Sequence, residues 1–199
     1  ESITITTGEN VIVFHYNKDV TFTGETAEKV YTGSEQTITK IDDEGLKTGH
    51  TYTGLTYTAK GTNVGTYDGA FSGDVKIMNG TEDVTSLYNV TKPPGKLTIN
   101  AYSSAITVVI AGNTEEKQYN GAEQSATGYV VKSITGGDGL FTEEDIAFSG
   151  NATASGTNVG TTKMGLTADQ FSSKDPNLTN VTFEVADGQL KITPTAVTG

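Results

Sequence analysis

The chain has 199 residues and a net charge of −11, with 24 acidic residues against 13 basic ones, every one of them lysine. Arginine is the side chain best shaped for bidentate phosphate recognition, so its absence, with no basic run anywhere, argues against a nucleic-acid or nucleotide partner. Cysteine is absent too, which excludes disulfides, thiolate metal sites and a cysteine nucleophile.

Hydrophobic residues make up 34% of the chain, and threonine outnumbers even the 24 glycines. β-Branched Thr favours strands and Gly serves turns, so the composition predicts an all-β protein. The length admits one large domain or two of about 100 residues. The two halves carry −5 and −6, which reads as solvated surface throughout and not as a charged tail. The longest apolar run, Val108-Val109-Ile110-Ala111, is far too short for a membrane span, and no membrane insertion is expected. The chain opens at Glu1 without Met or leader and is read as an excised fragment.

In chain order, residues 1–17 (ESITITTGENVIVFHYN) predict an extra hairpin turning at Thr7-Gly8-Glu9-Asn10. The next stretch, VTFTGETAEKVYTGSEQ (20–36), lies without a gap over VVIAGNTEEKQYNGAEQ (108–124). Gly24 meets Gly112, Lys29 meets Lys117 and Tyr31 meets Tyr119. The phrase GTNVGT then occurs twice, at 61–66 and 156–161, and PGKLTIN (94–100) lies over DGQLKIT (187–193). Three matches in the same order predict a duplicated unit with drifting connection lengths. The modules are expected at 1–101 and 102–199, the second a divergent repeat of the first, with a short linker at NAYSSA (100–105).

Alternation places strands in LTYTAK, with Leu55, Tyr57 and Ala59 inward, and at Leu97/Ile99/Ala101 and Leu190/Ile192. ITVVIAG (106–112), apolar on both faces, fits a strand near a sheet centre or a seam between domains. Asn79-Gly80 and Asn120-Gly121 read as tight turns. Helix is confined to a turn or two in FTEEDIAF (141–148) and LTADQF (166–171), with Thr142 and Thr167 as N-caps. The expected architecture is therefore two small β modules, Ig-like sandwiches or a β-grasp-like arrangement, each with at most one or two short helical turns.

GTNVGT fits neither a phosphate-binding P-loop nor a dinucleotide fingerprint, since its glycines are four apart and no Lys-Ser/Thr follows. It reads as a structural turn made by Thr62-Asn63 and Thr157-Asn158. Val64 and Val159 are expected to point inward, and Gly65 and Gly160 to admit close strand approach. The sequence assigns no catalytic, cofactor or metal residue. His15 and His50 read as surface or strand-edge histidines; a metal site would need both, with Asp42, Asp43 and Glu44. Ser72, Ser149 and Ser155 each touch a glycine but lack a nucleophile-elbow pattern. Glu143, Glu144 and Asp145 read as an acidic helix start and not as paired hydrolytic acids. IDDEG, GGDG (136–139) and TEED (142–145) offer oxygen ligands for weak Ca²⁺ binding, without EF-hand spacing. Of nine tyrosines, six lie between Tyr16 and Tyr88. Tyr31 and Tyr119 are expected in core or corner positions, and one of Tyr52 and Tyr57 is expected to face water, as a sugar-binding surface would need.

The order of motifs resembles the mostly-β, Gram-positive (MBG-type) repeats found in tandem in bacterial surface proteins. The residues that carry the resemblance are EKVYTGSEQ and EKQYNGAEQ, GTNVGTYDG and GTNVGTTKMGL, and the closing DVTSLYNVTKPPGKLTI and NVTFEVADGQLKI. It covers most of residues 18–193. The second unit departs from it in lacking Tyr67 and Asp68, and residues 1–17 match nothing. The resemblance implies an extracellular, cell-wall or cell-surface protein in which such units act as non-catalytic spacers whose partners are neighbouring repeats. The alternative it implies is an adhesin module that binds host glycans or matrix and mucin proteins. It also suggests intramolecular Lys–Asn amide cross-links, for which Lys18 or Lys29 and Asn89 or Asn100 are the candidates.

Overall fold

A computed structural model describes residues 16–195. The expected hairpin at 1–17 falls almost wholly outside the described residues, as does His15. The described chain is all-β, as its composition predicts; it contains no α-helix, only four 3-10 turns. Backbone contacts divide it into two compact units. The first holds the chain up to Lys29, with Glu35–Gly61 and Gly65–Ile99; the second holds Val30–Ser34, Thr62–Val64 and the chain from Asn100.

The first twelve strands are β1 (Lys18–Gly24), β2 (Ala27–Val30), β3 (Gln36–Ile38), β4 (Ile41–Glu44), β5 (His50–Thr53), β6 (Thr56–Gly61), β7 (Gly65–Asp68), β8 (Ala70–Ser72), β9 (Lys76–Asn79), β10 (Glu82–Asp83), β11 (Tyr88–Thr91) and β12 (Lys96–Asn100). Then follow β13 (Ile106–Gly112), β14 (Thr114–Gln118), β15 (Gln124–Thr127), β16 (Tyr129–Thr135), β17 (Ile146–Phe148), β18 (Thr153–Gly156), β19 (Gly160–Lys163), β20 (Phe171–Ser173), β21 (Val181–Ala186) and β22 (Gln189–Thr193).

The same pairing plan occurs twice. In one sheet β1 lies between β4 and β11, and β13 lies likewise between β16 and β21. In another β12 lies between β2 and β7, and β22 between β14 and β19. Smaller pairings, β3 with β6 and β5 with β9, recur as β15 with β18 and β17 with β20. β1 runs parallel to β11, from Lys18 opposite Tyr88 to Thr21 opposite Thr91. β13 runs parallel to β21, from Ile106 opposite Val181 to Ala111 opposite Ala186, and β14 runs parallel to β22, from Thr114 opposite Gln189 to Gln118 opposite Thr193. The partner lies 75 positions on in both ladders, so the opening arm 106–118 keeps one register with the closing arm 181–193 across two sheets. This parallel pairing of first and last arms distinguishes each unit from a purely antiparallel sandwich.

Individual hydrogen bonds repeat with the plan. The Glu25 N–H donates to the Lys40 carbonyl at 3.0 Å, and Asn113 to Gly128 at 3.0 Å. Gly69 donates to Gly95 and Met164 to Gly188, both at 3.0 Å; Tyr31 donates to Asn100 at 2.8 Å and Tyr119 to Thr193 at 2.9 Å. The repeated lysines do the same work: Lys29 Nζ donates to the Thr37 carbonyl at 3.0 Å, and Lys117 Nζ to the Ser125 carbonyl at 2.6 Å. Each pair joins positions that the sequence repeat superposes.

Strand alternation buries the expected faces. Leu55, Tyr57, Ala59, Leu97, Ile99, Leu190 and Ile192 are buried, and Ile106, Val108 and Ile110 are wholly so at the centre of their sheet. Each such aliphatic side chain contributes about 1.5–3 kcal/mol relative to exposure. In the second unit one cluster joins β13 and β22 with Phe141, Phe171 and Leu178, and Phe148 stacks on Phe171 at 4.8 Å. Thr142 and Thr167 cap 3-10 turns Glu143–Asp145 and Ala168–Gln170, as expected. The Thr142 N–H donates to Asp145 Oδ2 at 2.8 Å, and the Thr167 N–H to Gln170 Oε1 at 3.0 Å. A third such turn in this unit, Gly137–Gly139, was not singled out by the sequence; the first unit has one, Thr85–Leu87.

Four expectations are corrected. Val64 and Val159 do not point inward: they are 42% and 52% exposed, because each sits at the tip of the bend joining β6 to β7 and β18 to β19. Gly65 and Gly160 serve the backbone, at φ +156° and +151°, and the close approach belongs to Gly61, where a Cβ would collide with the Tyr67 ring. Tyr119 is 42% exposed and is no core residue, while Tyr31 is half-buried. Neither Tyr52 nor Tyr57 faces open water: Tyr57 is buried, and Tyr52 is half-buried against Phe22 with ring centroids 4.7 Å apart. The parity argument fails because Gly54, at φ +81°, bends the chain between them.

The repeated Gly24 and Gly112 have a packing reason. A Cβ on Gly24 would collide with the Tyr57 ring, and one on Gly112 with the Gly188 backbone nitrogen. Backbone cannot step aside as a side-chain end can, so Gly112→Ala is expected to cost about 1–3 kcal/mol. Val159→Ser, at an exposed tip, is expected to change stability by less than about 0.5 kcal/mol. Denaturant melts of the two variants check this, and a costly Val159→Ser would return that side chain to the interior.

Candidate functional site

The strand pairing brings three distant stretches of sequence to one end of the first unit. Residues 16–18 lead into β1, residues 47–50 lead into β5, and residues 87–88 lead into β11. There Tyr16, Lys18, Lys47, His50, Leu87 and Tyr88 line a cleft of about 250 Å³. Lys18 stands opposite Tyr88 in the parallel ladder. A tight turn holds the next wall, with the His50 N–H donating to the Lys47 carbonyl at 2.9 Å and Gly49 at φ +87°.

Tyr88 ties these walls together. It is only 7% exposed, and its hydroxyl accepts the Lys47 N–H at 3.3 Å and lies 2.8 Å from His50 Nδ1. With Nδ1 as acceptor for the phenol proton, the neutral imidazole carries its own proton on Nε2; this tautomer is assigned from the hydrogen-bond network. The His50 and Tyr88 rings meet edge to face at 5.9 Å.

Among the described residues the lining carries two lysines and one histidine, and no carboxylate. On a chain of net charge −11 that is a local reversal of sign. The ion pairs among the described residues use other lysines: Lys40 with Asp42, Lys60 with Glu35, Lys117 with Glu115 and Lys191 with Glu116. Among the described residues neither Lys18 nor Lys47 forms one. Buried polar side-chain atoms among the described residues all have partners.

The other candidates lie elsewhere. Asp42, Asp43 and Glu44 occupy strand β4, not a loop, so Asp43 points to the opposite face from Asp42 and Glu44 and the three cannot converge on one ion. Asp42 instead holds the Lys40 ammonium, at 2.6 Å, above the usual lysine range through that hydrogen bond and its charge. Asp145 is spent on capping Thr142, from both its N–H and its hydroxyl, while Glu143 and Glu144 are exposed on the same turn. Ser149 Oγ donates to the Gln170 carbonyl at 3.3 Å. Ser72 and Ser155 stand in strands, paired with Thr56 and Ser125. Among the described residues no three His, Asp or Glu side chains are grouped to hold a metal, and no helix is long and apolar enough to cross a membrane. Of the four cross-link candidates, Lys29 bonds the Thr37 carbonyl at 3.0 Å and Asn89 bonds Asp19 at 3.0 Å on the exposed surface.

Sequence reading did not assemble the cleft. It treated His50 as a strand-edge residue and Lys18 as a cross-link candidate, and it passed over Lys47 and Leu87. No local spacing joins positions 18, 47 and 88; the β1–β11 ladder sets Lys18 opposite Tyr88, and the Tyr88 hydroxyl takes the Lys47 N–H. Compared with known proteins, the chain matches no family model, no curated protein and no solved structure.

The Tyr88 bond to His50 is testable directly. In ¹⁵N spectra of the neutral imidazole, Nδ1 is expected at the unprotonated resonance and Nε2 at the protonated one. Tyr88→Phe is expected to move both toward the mixed values of a free histidine. Unchanged ring shifts in that variant would contradict the assigned bond.

Proposed function

We propose that the chain is a non-catalytic spacer segment of an extracellular bacterial surface protein, built to carry tension along its length. The observation that supports this reading is the parallel pairing of opening and closing arms in each unit. In the second unit, tension applied at Ala105 and Pro194 would run along strands β13–β14 and β21–β22. The ladder bonds cross the strands, so such a load shears many of them together instead of parting them one at a time. Resistance to force is set by the unfolding barrier, which this geometry raises without a larger core.

The duplicated plan adds to the reading. Repetition of a small self-sufficient unit yields length without a continuous hydrophobic interior, and its natural partners are neighbouring copies. The surface is solvated and acidic, and the motifs resemble MBG-type wall-linked repeats, which carries the cell-surface placement. A second reading, an adhesin module for host glycans or matrix proteins, is favoured by one feature alone: the basic cleft of the first unit.

The absence of native cysteine makes a pulling experiment clean. Handles at Ala105→Cys and Pro194→Cys load the second unit in shear. Handles at Ala105→Cys and Asn180→Cys load the same ladder from one end, because the Ile106 N–H donates to the Asn180 carbonyl there. The shear pair is expected to rupture in one event at clearly higher force. Equal forces, or a stronger peeling direction, would remove the mechanical reading.

A further inference from the structure

We propose that the basic cleft of the first unit binds the carboxylate of an acidic sugar. Three observations lead there, and none depends on the spacer reading.

The donor set is one-sided. Lys18 and Lys47 supply ammonium groups, and His50, with Nδ1 facing the Tyr88 hydroxyl, presents Nε2–H. Such a set suits an anion with two or more oxygens, and hydrogen bonds to a charged group are about twice as strong as neutral ones. Among the described residues of the lining a cation would find no carboxylate.

The remaining wall is aromatic and aliphatic. Tyr16 is 89% exposed and Leu87 51% exposed, and both line the cleft beside Tyr88. Aromatic and alkyl surface in the same lining as these donors matches a saturated ring whose C–H face is apolar and whose substituent is charged. The volume, about 250 Å³, lies below the range of drug-sized pockets and suits a single ring.

Tyr88 also packs in the core of the first unit, but the fold does not need a lysine beside it. At the matching place of the parallel ladder the second unit has Ile106 opposite Val181 where the first has Lys18 opposite Tyr88. An apolar pair closes the strand ends there, so the charge of Lys18 in the first unit adds something beyond folding.

The test is a ¹H–¹⁵N titration of the whole chain with methyl glucuronide and methyl sialoside, against methyl glucoside and inorganic phosphate. At least one acidic sugar is expected to give saturable shifts confined to residues near 16–18, 46–50 and 86–89, with methyl glucoside at least about tenfold weaker. Lys18→Gln and Lys47→Gln are each expected to weaken binding about fivefold to tenfold, with the rest of the spectrum unchanged. Tyr88→Phe, which keeps the ring, is expected to weaken binding by freeing the His50 ring. No saturable shift with either acidic sugar overturns the proposal. So does equal response to methyl glucoside, equal response to phosphate, or undiminished binding in the double lysine variant. None of these results bears on the pulling experiment, so the two readings fail separately.

Discussion

The parallel ladder between the opening and closing arms of each unit is the constraint from which the rest follows. Parallel neighbours cannot be joined by a tight hairpin, so everything between the arms must fold as a return path. In the second unit that path runs from β15 to β20, and its short antiparallel pairs close over the faces of β13 and β22. Because β13–β14 and β21–β22 hold one register across two sheets, a slip of one residue would turn Ile106, Val108 and Ile110 outward together. The register and the core therefore specify each other.

Surface charge plays a small part in this stability. The four ion pairs among the described residues join exposed side chains, and such pairs contribute about 0–1 kcal/mol. The repeated Lys29 and Lys117 are different. Each is held on a backbone carbonyl of the following strand, which explains why lysine recurs at that place. The acidic excess keeps the surface solvated and leaves the cleft beside Tyr88 as a place where the sign of charge reverses.

Much of the strand plan was legible because alternation and repetition are local signals. Leu55, Tyr57 and Ala59 declare their face within a single strand, and Thr142 and Thr167 announce their capped turns. The duplication was legible because the matched residues carry the framework itself: Gly24 and Gly112 at close packing, Lys29 and Lys117 on carbonyls. The misses share a physical cause. Val64 and Val159 were read by hydrophobicity, but a bend outweighs the preference of one side chain. Tyr52 and Tyr57 were read by parity across a glycine that breaks the strand. The cleft was invisible because Lys18 and Tyr88 meet through a ladder whose partners are 70 positions apart, and Lys47 joins them only by its N–H on the Tyr88 hydroxyl. Parallel registry of that range leaves no periodic trace in a sequence.

The most direct measurement of the account is amide hydrogen exchange, residue by residue, under native conditions. Amides exchange last where opening requires the largest cooperative unit to unfold. If the paired arms hold each unit together, the slowest amides lie in β1 and β11 of the first unit and in β13 and β21 of the second. Slowest exchange in the short return pairs, such as β17 with β20, while β13 and β21 exchange quickly, would contradict it.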